Sequence, residues 1–555
     1  MRMESHSDPV NALSLNRSLE EAAENRGFNR QALRGLSPDD QKKFESYGRG
    51  PDRQIPHPAI HQAFESQAQK HENMIAAQHK QQQITYGELN RKASWLAAEL
   101  AAMGIGRGDN VGLFLERSIP MLTGLIGILK TGAAYVPQDV RITPQTTLAD
   151  VMESAGIRVV LTLSHLADNI PVRDNQKVLA IDSLDFPQEG DRNYWSVMVP
   201  RSAASHHDNC FILFTSGTTG KPNGVQVTHG NVCNILLTEP GNLGIKPGYK
   251  VSQLLNIAFD MAAWEILGCL AQGGTLVIRE KDFTEAVRHC DVVIATPSIL
   301  AKVDVSQCHK IKTVAVAGEP CPRPLAEKWA AKCRFINSCG PTETTIINTA
   351  QHFRSHSLNL TIGKPTPNNT VYVLDEHKQP CAIGEVGEIW AGGKGVSAGY
   401  INNPLLNTER YQPDPFMADG SFMFRTRDLA RWNEDGELEH FGRTDDQVKV
   451  KGFRVELDAI SNTMESSGAC QQAVTLKLND KELVTFVRPA NASIQKCLKA
   501  VESKLPYYCL PSSIVALPEF PVTARGKTDK RALLSMIQKK DSSINTRTEK
   551  EGVIA

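Results

Sequence analysis

At 555 residues, with 41% hydrophobic and 22% charged side chains, the chain is too long for one ordinary domain and too apolar to be disordered over most of its length. Its 61 basic and 61 acidic residues cancel, which argues against a nucleic-acid or membrane surface as the main partner and for a small-molecule enzyme. The twelve cysteines include no CxxC pair and no Cys/His cluster at zinc spacing, the amino terminus is polar, and the most apolar stretch, Met121 to Val136, is broken by Lys130; reduced thiols in a soluble, cytoplasmic protein are expected.

Residues 1–55 are polar, with a weakly amphipathic run from Leu13 to Leu33 and a helix-start signal at Leu36-Ser-Pro-Asp-Asp40; they are expected to be a linker or appendage. From Ile60 helical periodicity runs through Phe64 and Ala68. Ile84-Thr-Tyr-Gly-Glu-Leu89 opens a helix to Met103, Val111–Leu115 reads as a strand, and Pro120–Lys130 as a helix. Short apolar strands follow at Val159–Thr162, Asn209–Phe214, Val251–Leu255, Thr275–Ile278, Val292–Ile294 and Thr313–Val316, with a helix ending at Leu270. This alternation predicts an α/β fold: a large domain, 56–444, of packed mixed and parallel sheets with helices. From about Pro365, Val371–Leu374 and Glu388–Ala391 lie among many glycines, which adds a β-rich subdomain. The charged stretch Gly442–Lys449 suggests a boundary to a small, mobile α+β domain, 445–534, before a lysine-rich tail, 535–555, expected to be disordered.

One stretch has no core to build. Phe214-Thr-Ser-Gly-Thr-Thr-Gly-Lys-Pro-Asn-Gly-Val225 crowds three glycines, four hydroxyls and one lysine into twelve residues after an apolar strand. Such a loop offers close backbone approach and free N–H groups to a phosphate, although a flexible surface turn has the same composition. Lys221 is followed by Pro222, so the pattern is not the GxxxxGK[ST] phosphate loop.

Taken with Cys339-Gly-Pro-Thr-Glu-Thr344, Phe424-Arg-Thr-Arg-Asp-Leu429, Gly442-Arg-Thr-Asp-Asp-Gln-Val-Lys-Val-Lys-Gly452 and Arg525-Gly-Lys527, the loop resembles adenylation domains of nonribosomal peptide synthetases. These belong to the adenylate-forming superfamily, with acyl-CoA synthetases and luciferases. The resemblance implies attack of a carboxylate on the α-phosphate of ATP, release of pyrophosphate, and transfer of the acyl group to a thiol, with ATP and Mg²⁺ required. It places Thr215, Ser216, Gly217, Thr218, Thr219, Gly220 and Lys221 on the phosphates, and Gly318, Glu319, Asn337, Cys339 and Thr342 along the nucleotide. It makes Glu343 the magnesium ligand, gives Asp428 and Arg443 the ribose, makes Asp445 a hinge, and brings Lys527 to the substrate carboxylate and α-phosphate.

The same resemblance pairs Asp260 with a substrate α-ammonium, and an otherwise apolar segment would not hold a carboxylate without a partner; a helix N-cap is the plain alternative. It lines the side-chain pocket with Met261, Trp264, Ile294, Ala315, Ala317, Ser338, Ile346 and Ile347, which suits a large apolar or aromatic amino acid. Four positions depart from the family pattern: Asn223 for a second lysine, Cys339 and His440 for aromatic residues, and Arg427 for a glycine whose backbone, if at positive φ, would strain an arginine. No carrier-protein serine motif follows Leu534. A freestanding, monomeric enzyme is therefore expected, handing its adenylate to a phosphopantetheine thiol on a separate carrier protein, to coenzyme A or to an amine. An aryl- or acyl-CoA ligase and a catalytically silent relative are the alternatives.

Overall fold

The computed structural model describes residues 28–187, 204–215, 222–417, 419–445, 447–450, 453–522 and 528–537. They divide into two compact units: the larger takes residues up to 141, 151–214 and 223–445, the smaller 142–150, 215–222 and the residues from 446 onward.

The larger unit is built on three sheets. The first runs Lys177–Ala180, Val159–Thr162, Asn110–Phe114, Ala134–Gln138, Asn209–Thr215, Asn223–Thr228, and all of its pairings from Lys177–Ala180 to Asn209–Thr215 are parallel. The second has nine strands, and its centre is the parallel set Arg334–Cys339, Thr313–Val316, Val292–Ala295, Lys250–Gln253, Thr275–Ile278 and Ile75–His79. Strands such as Val159–Thr162 and Thr313–Val316 are buried at every residue, as parallel strands covered on both faces must be; this is why they read as unbroken apolar runs. Helix Ile119–Thr131 is buried along nearly its whole length, started by the Ser118 hydroxyl accepting from the Met121 N–H at 3.2 Å and stopped by Gly132 at φ 85°. Its Lys130, 6% exposed, is neutralised by Glu65. No helix among the described residues is long and apolar enough to cross a membrane.

The third sheet, Asn369–Leu374, Gly387–Gly393, Phe422–Trp432 and Tyr411–Pro413 with Leu438–Arg443 on Phe422–Trp432, is antiparallel. Residues 28–50, expected as linker or appendage, are part of its core: Leu33 and Phe44 are wholly buried with Tyr372, Trp390 and Phe416, and the Asn29 N–H donates to the Phe416 carbonyl at 2.7 Å. The local helix signal at Ser37 holds, its hydroxyl accepting from the Asp40 N–H at 3.1 Å, but a polar helix with one buried Phe gives no local sign of docking. One boundary moves in the other direction. Ile84 and Thr85 end a strand, and the helix they were expected to open starts at Tyr86 with Thr85 as its cap.

The smaller unit has strands Gln472–Asn479, Glu482–Arg488 and Ser513–Ala516, a hairpin Gln447–Val450/Phe453–Glu456, and helices Leu457–Ser466 and Ile494–Lys504 around a core of its own. Residues 530–537 are helical with Leu533 buried, so the helix runs past residue 535, where the tail was expected to begin; residues 538–555 lie outside the described residues. All twelve cysteines are unpaired.

Candidate active site

Ser216, Gly217, Thr218, Thr219, Gly220, Lys221 and Lys527 lie outside the described residues. What is described is the scaffold beside them. Strand Asn209–Thr215 runs parallel to its neighbour and ends at Thr215, so the glycine-rich stretch leaves the carboxyl end of a parallel strand, where open α/β sheets bind ligands. Asn223, expected to cost the loop a positive charge, starts the next strand and accepts from the Asn403 amide at 3.2 Å.

Glu343 is presented by a tight loop between Arg334–Cys339 and Thr349–Phe353. The Asn348 N–H donates to the Cys339 carbonyl at 2.9 Å, and a Cβ on Gly340 would lie 2.6 Å from the Ile347 Cα. Thr345 and Ile346 stand at φ 61° and 69°, the left-handed region that β-branched residues avoid, at a cost of order 1–3 kcal/mol each. The loop buries Glu343 to 1% exposure, with the Tyr400 hydroxyl donating to its Oε1 at 2.7 Å. An oriented carboxylate is a donor that Mg²⁺ accepts beside phosphate oxygens and waters, so the residues fit that ion.

Asp428 lies opposite Arg443 across an antiparallel pair, and the Arg443 Nη1 donates to it at 2.8 Å. His440, which departs from the aromatic residue of the family pattern, is its second partner: Nε2 lies 3.4 Å from Asp428 Oδ1, while Nδ1 accepts from the Gly442 N–H at 3.3 Å, which leaves Nε2 as the protonated nitrogen. Burial alone would raise Asp428, but His440 and Arg443 outweigh it and hold the carboxylate below its usual range. The ladder continues, for Arg443 Nε donates to Asp445 at 2.8 Å, Arg427 Nη1 lies 3.4 Å from the same carboxylate, and Arg427 also pairs with Glu409. Arg427 sits at φ 65°, so the strain expected of an arginine in place of glycine is present. Asp445, expected as a hinge, is the last residue of the larger unit.

Asp260 is the first residue of helix Asp260–Leu270; the N-cap is Phe259, so the cap alternative does not describe it. Ile294, Ala315 and Ile336 are in register across three parallel strands, so their side chains share a face, which Ala317 and Ser338, two residues further along, extend. The Ser338 hydroxyl is buried with no partner among the described residues. Met261, Ile346 and Ile347 are buried too. Trp264 is wholly buried and its indole N–H donates to the Gly241 carbonyl at 2.6 Å, which anchors the helix to the turn before it. Asn337 is likewise committed, its amide donating to the Thr361 carbonyl at 2.7 Å, and Glu319 accepts from the Ser298 N–H at 2.8 Å. Gly318 is left-handed at φ 86°, Thr342 opens the short turn that carries Glu343, and Cys339 ends its strand.

Three groups were missed in the sequence: Glu265, Arg117 and Asp139. Glu265 is wholly buried, and burial pushes its carboxyl up to about 8 against the opposing pull of the Leu254 and Leu255 N–H groups. Its place in an apolar helix one residue after Trp264 was the available signal.

A family model described as AMP-binding enzyme matches residues 64–401. The chain belongs to the AMP-binding enzyme family. An adenylate-forming reductase of Coprinopsis cinerea is 44% identical over 91% of this chain and 49% of its own length. Gramicidin S synthase 1 of Brevibacillus brevis is 32% identical over 85% of this chain and 44% of its own length. An artificially fused adenylation–PCP di-domain of a nonribosomal peptide synthetase from Klebsiella oxytoca superposes with a TM-score of 0.73 at 25% identity, covering 82% of this chain and 93% of that one. The chain thus spans about half the length of the reductase and less than half of the synthase. As a member of the AMP-binding enzymes it is an adenylate-forming protein, similar both to adenylate-forming reductases and to peptide synthetases, and enzymes of this family use ATP with Mg²⁺.

Proposed function

We propose that the chain activates an α-amino acid with a large apolar or aromatic side chain as its aminoacyl adenylate, releasing pyrophosphate, and passes the acyl group to the phosphopantetheine thiol of a carrier protein acting in trans. The observation that carries this reading is Asp260, a carboxylate in the first turn of a helix whose other residues, Glu265 excepted, are apolar or small, together with the shared strand face of Ile294, Ala315 and Ala317. Asp260 would accept from the substrate ammonium, and the apolar row would take the side chain, with the orphan Ser338 hydroxyl available to a polar substituent. Asp428 would accept from the ribose hydroxyls, its lowered pKa keeping it ionised at neutral pH. Glu343, oriented by Tyr400, would hold Mg²⁺, whose positive charge neutralises the phosphate oxygens. Lys221 would grip the departing pyrophosphate and Lys527 the α-phosphate, roles that rest on the resemblance. The catalysis is positioning and charge neutralisation, with no covalent enzyme intermediate. Asp445 would serve as the hinge between the 56–444 and 445–534 domains. Twelve unpaired thiols suit a reducing compartment, the cytoplasm.

A second reading, favoured by the reductase relative, is activation of an acid destined for reduction rather than for a peptide bond. Exchange of labelled pyrophosphate into ATP, run across the common amino acids, aryl acids and fatty acids, tests the first step. Exchange with amino acids supports the proposal; exchange confined to aryl or fatty acids overturns it, and exchange with no acid marks a silent relative. Transfer of the labelled acyl group to a separate carrier tests the second step.

A further inference from the structure

Residues 254–259 join strand Lys250–Gln253 to the helix that begins at Asp260, and they belong to neither element. Their backbone groups have no ladder to enter, so each needs another partner. Side chains supply them. Glu265 Oε1 accepts from the Leu254 N–H at 2.7 Å and Oε2 from the Leu255 N–H at 3.1 Å. Arg117 holds the carbonyl side, donating through Nη2 to Leu254 O at 3.1 Å and through Nε to Leu255 O at 3.3 Å, and the Gln253 amide joins it on Leu255 O at 2.6 Å. Both peptide units are therefore clamped from two directions by residues far apart in sequence. The next residue is fixed as well: the Asn256 amide donates to Asp139 Oδ2 at 2.9 Å, and Asp139 is held by Arg141 at 2.8 Å. Asn256 Oδ1 then accepts from the Ala258 N–H at 2.9 Å, and its carbonyl from the Phe259 N–H at 3.0 Å.

This turn is what registers the helix, because the N-cap Phe259 has no side-chain cap bond of its own. Arg117 follows strand Asn110–Phe114 and Asp139 follows Ala134–Gln138, both of the first sheet, while the clamped residues follow a strand of the second. The clamp therefore ties together the carboxyl ends of strands from the two sheets. Side chains locked by packing and hydrogen bonds are what hold a recognition group in place to within a fraction of an ångström.

We infer that Arg117 and Glu265 are positioning residues for acid recognition, clamping Leu254–Leu255 so that Asp260 meets the substrate ammonium. This rests on the reading of Asp260 given above. The test is exchange of pyrophosphate into ATP with the amino acid that wild type turns over fastest in the panel of twenty, comparing Glu265→Leu, which keeps volume but removes both acceptors, with Glu265→Gln, which keeps one, and with Arg117→Lys. Expected are an amino-acid KM raised tenfold or more in Glu265→Leu, partial recovery in Glu265→Gln, a several-fold rise in Arg117→Lys, and an ATP KM within twofold of wild type in all three. Folded variants whose two KM values rise together, or whose amino-acid KM is unchanged, overturn the clamp as a positioning device. Amide hydrogen exchange is measured on the same proteins. Faster exchange confined to residues 254–261 supports the clamp and unchanged exchange there overturns it, even if wild type turns over no amino acid, a result that would sink the functional reading alone. Should Glu265→Leu fail to fold, Arg117→Lys and Glu265→Gln carry the test.

Discussion

Glu265 and Asp428 are both buried carboxyl groups that burial drives upward, yet they end on opposite sides of the ordinary carboxylate range. Glu265 meets two backbone N–H groups, with Arg117 acting on it through charge, and stays at about 8. Asp428 meets His440 and Arg443 directly and falls below its usual value. The lesson is that partner chemistry rather than depth sets the charge state. It also divides the candidate site: the half proposed to select the acid is held mainly by hydrogen bonds to backbone, the half proposed to hold the nucleotide by a ladder of full charges that ends at the half-exposed Glu409. The first should ignore salt and the second should feel it.

The strongest way to break this division is to delete one carboxylate from each half. Asp260→Ala should lower kcat/KM for the amino acid by two to three orders of magnitude, about 3–4 kcal/mol, with the ATP KM unchanged in steady-state exchange. A matching rise in the ATP KM would show that the two halves are not separate. Asp428→Ala takes away an acceptor shared by Arg443 and His440 and should weaken ATP binding about a hundredfold, about 3 kcal/mol, read by calorimetry. Amino-acid recognition measured at saturating ATP should be spared.

Titration sharpens the comparison, because the two shifts have opposite signs. Between the unfolded value of 4.5 and about 8, folded Glu265 keeps a proton that the unfolded chain has lost, so its contribution to stability falls as pH rises through that window. Wild-type stability against urea should therefore decline about 1.4 kcal/mol per pH unit more steeply than that of Glu265→Gln between pH 5 and 8. For Asp428 the contribution is complete above its unfolded value of 3.8 and is lost as pH falls through the depressed folded value. Equal slopes in wild type and Glu265→Gln would mean the carboxyl is ionised throughout. The smallest effect is at Arg427: a glycine there relieves left-handed strain of about 1 kcal/mol and forfeits partly exposed ion pairs worth less than about 1 kcal/mol. Arg427→Gly should be slightly more stable than wild type in urea at high salt, with the gain shrinking at low salt.

The strands Val159–Thr162, Thr275–Ile278 and Thr313–Val316 have the bounds that their apolar runs suggest, because a strand buried on both faces writes its limits into local composition. The strain at Arg427 was legible for a similar reason: a missing glycine is a local fact. The clamp on Leu254–Leu255 was not, since Arg117 reaches it across 137 residues and no periodicity records such a contact. The bond made by Trp264 was equally hidden. The partner of its indole N–H, Gly241, lies 23 residues away, and no local pattern names it.

The packing of Leu33 and Phe44 against Tyr372 and Phe416 separates the boundary of folding from the boundary of chemistry. A chain cut at residue 56, ahead of the family match, keeps every residue of the site yet strips the cover from a row of aromatic rings that bury roughly 150–250 Å² each. Patches of that size are sticky. Light scattering should find the shortened protein aggregated and one that starts at residue 28 monodisperse, so the segment 28–50 would act as a built-in solubility tag for the sheet it covers.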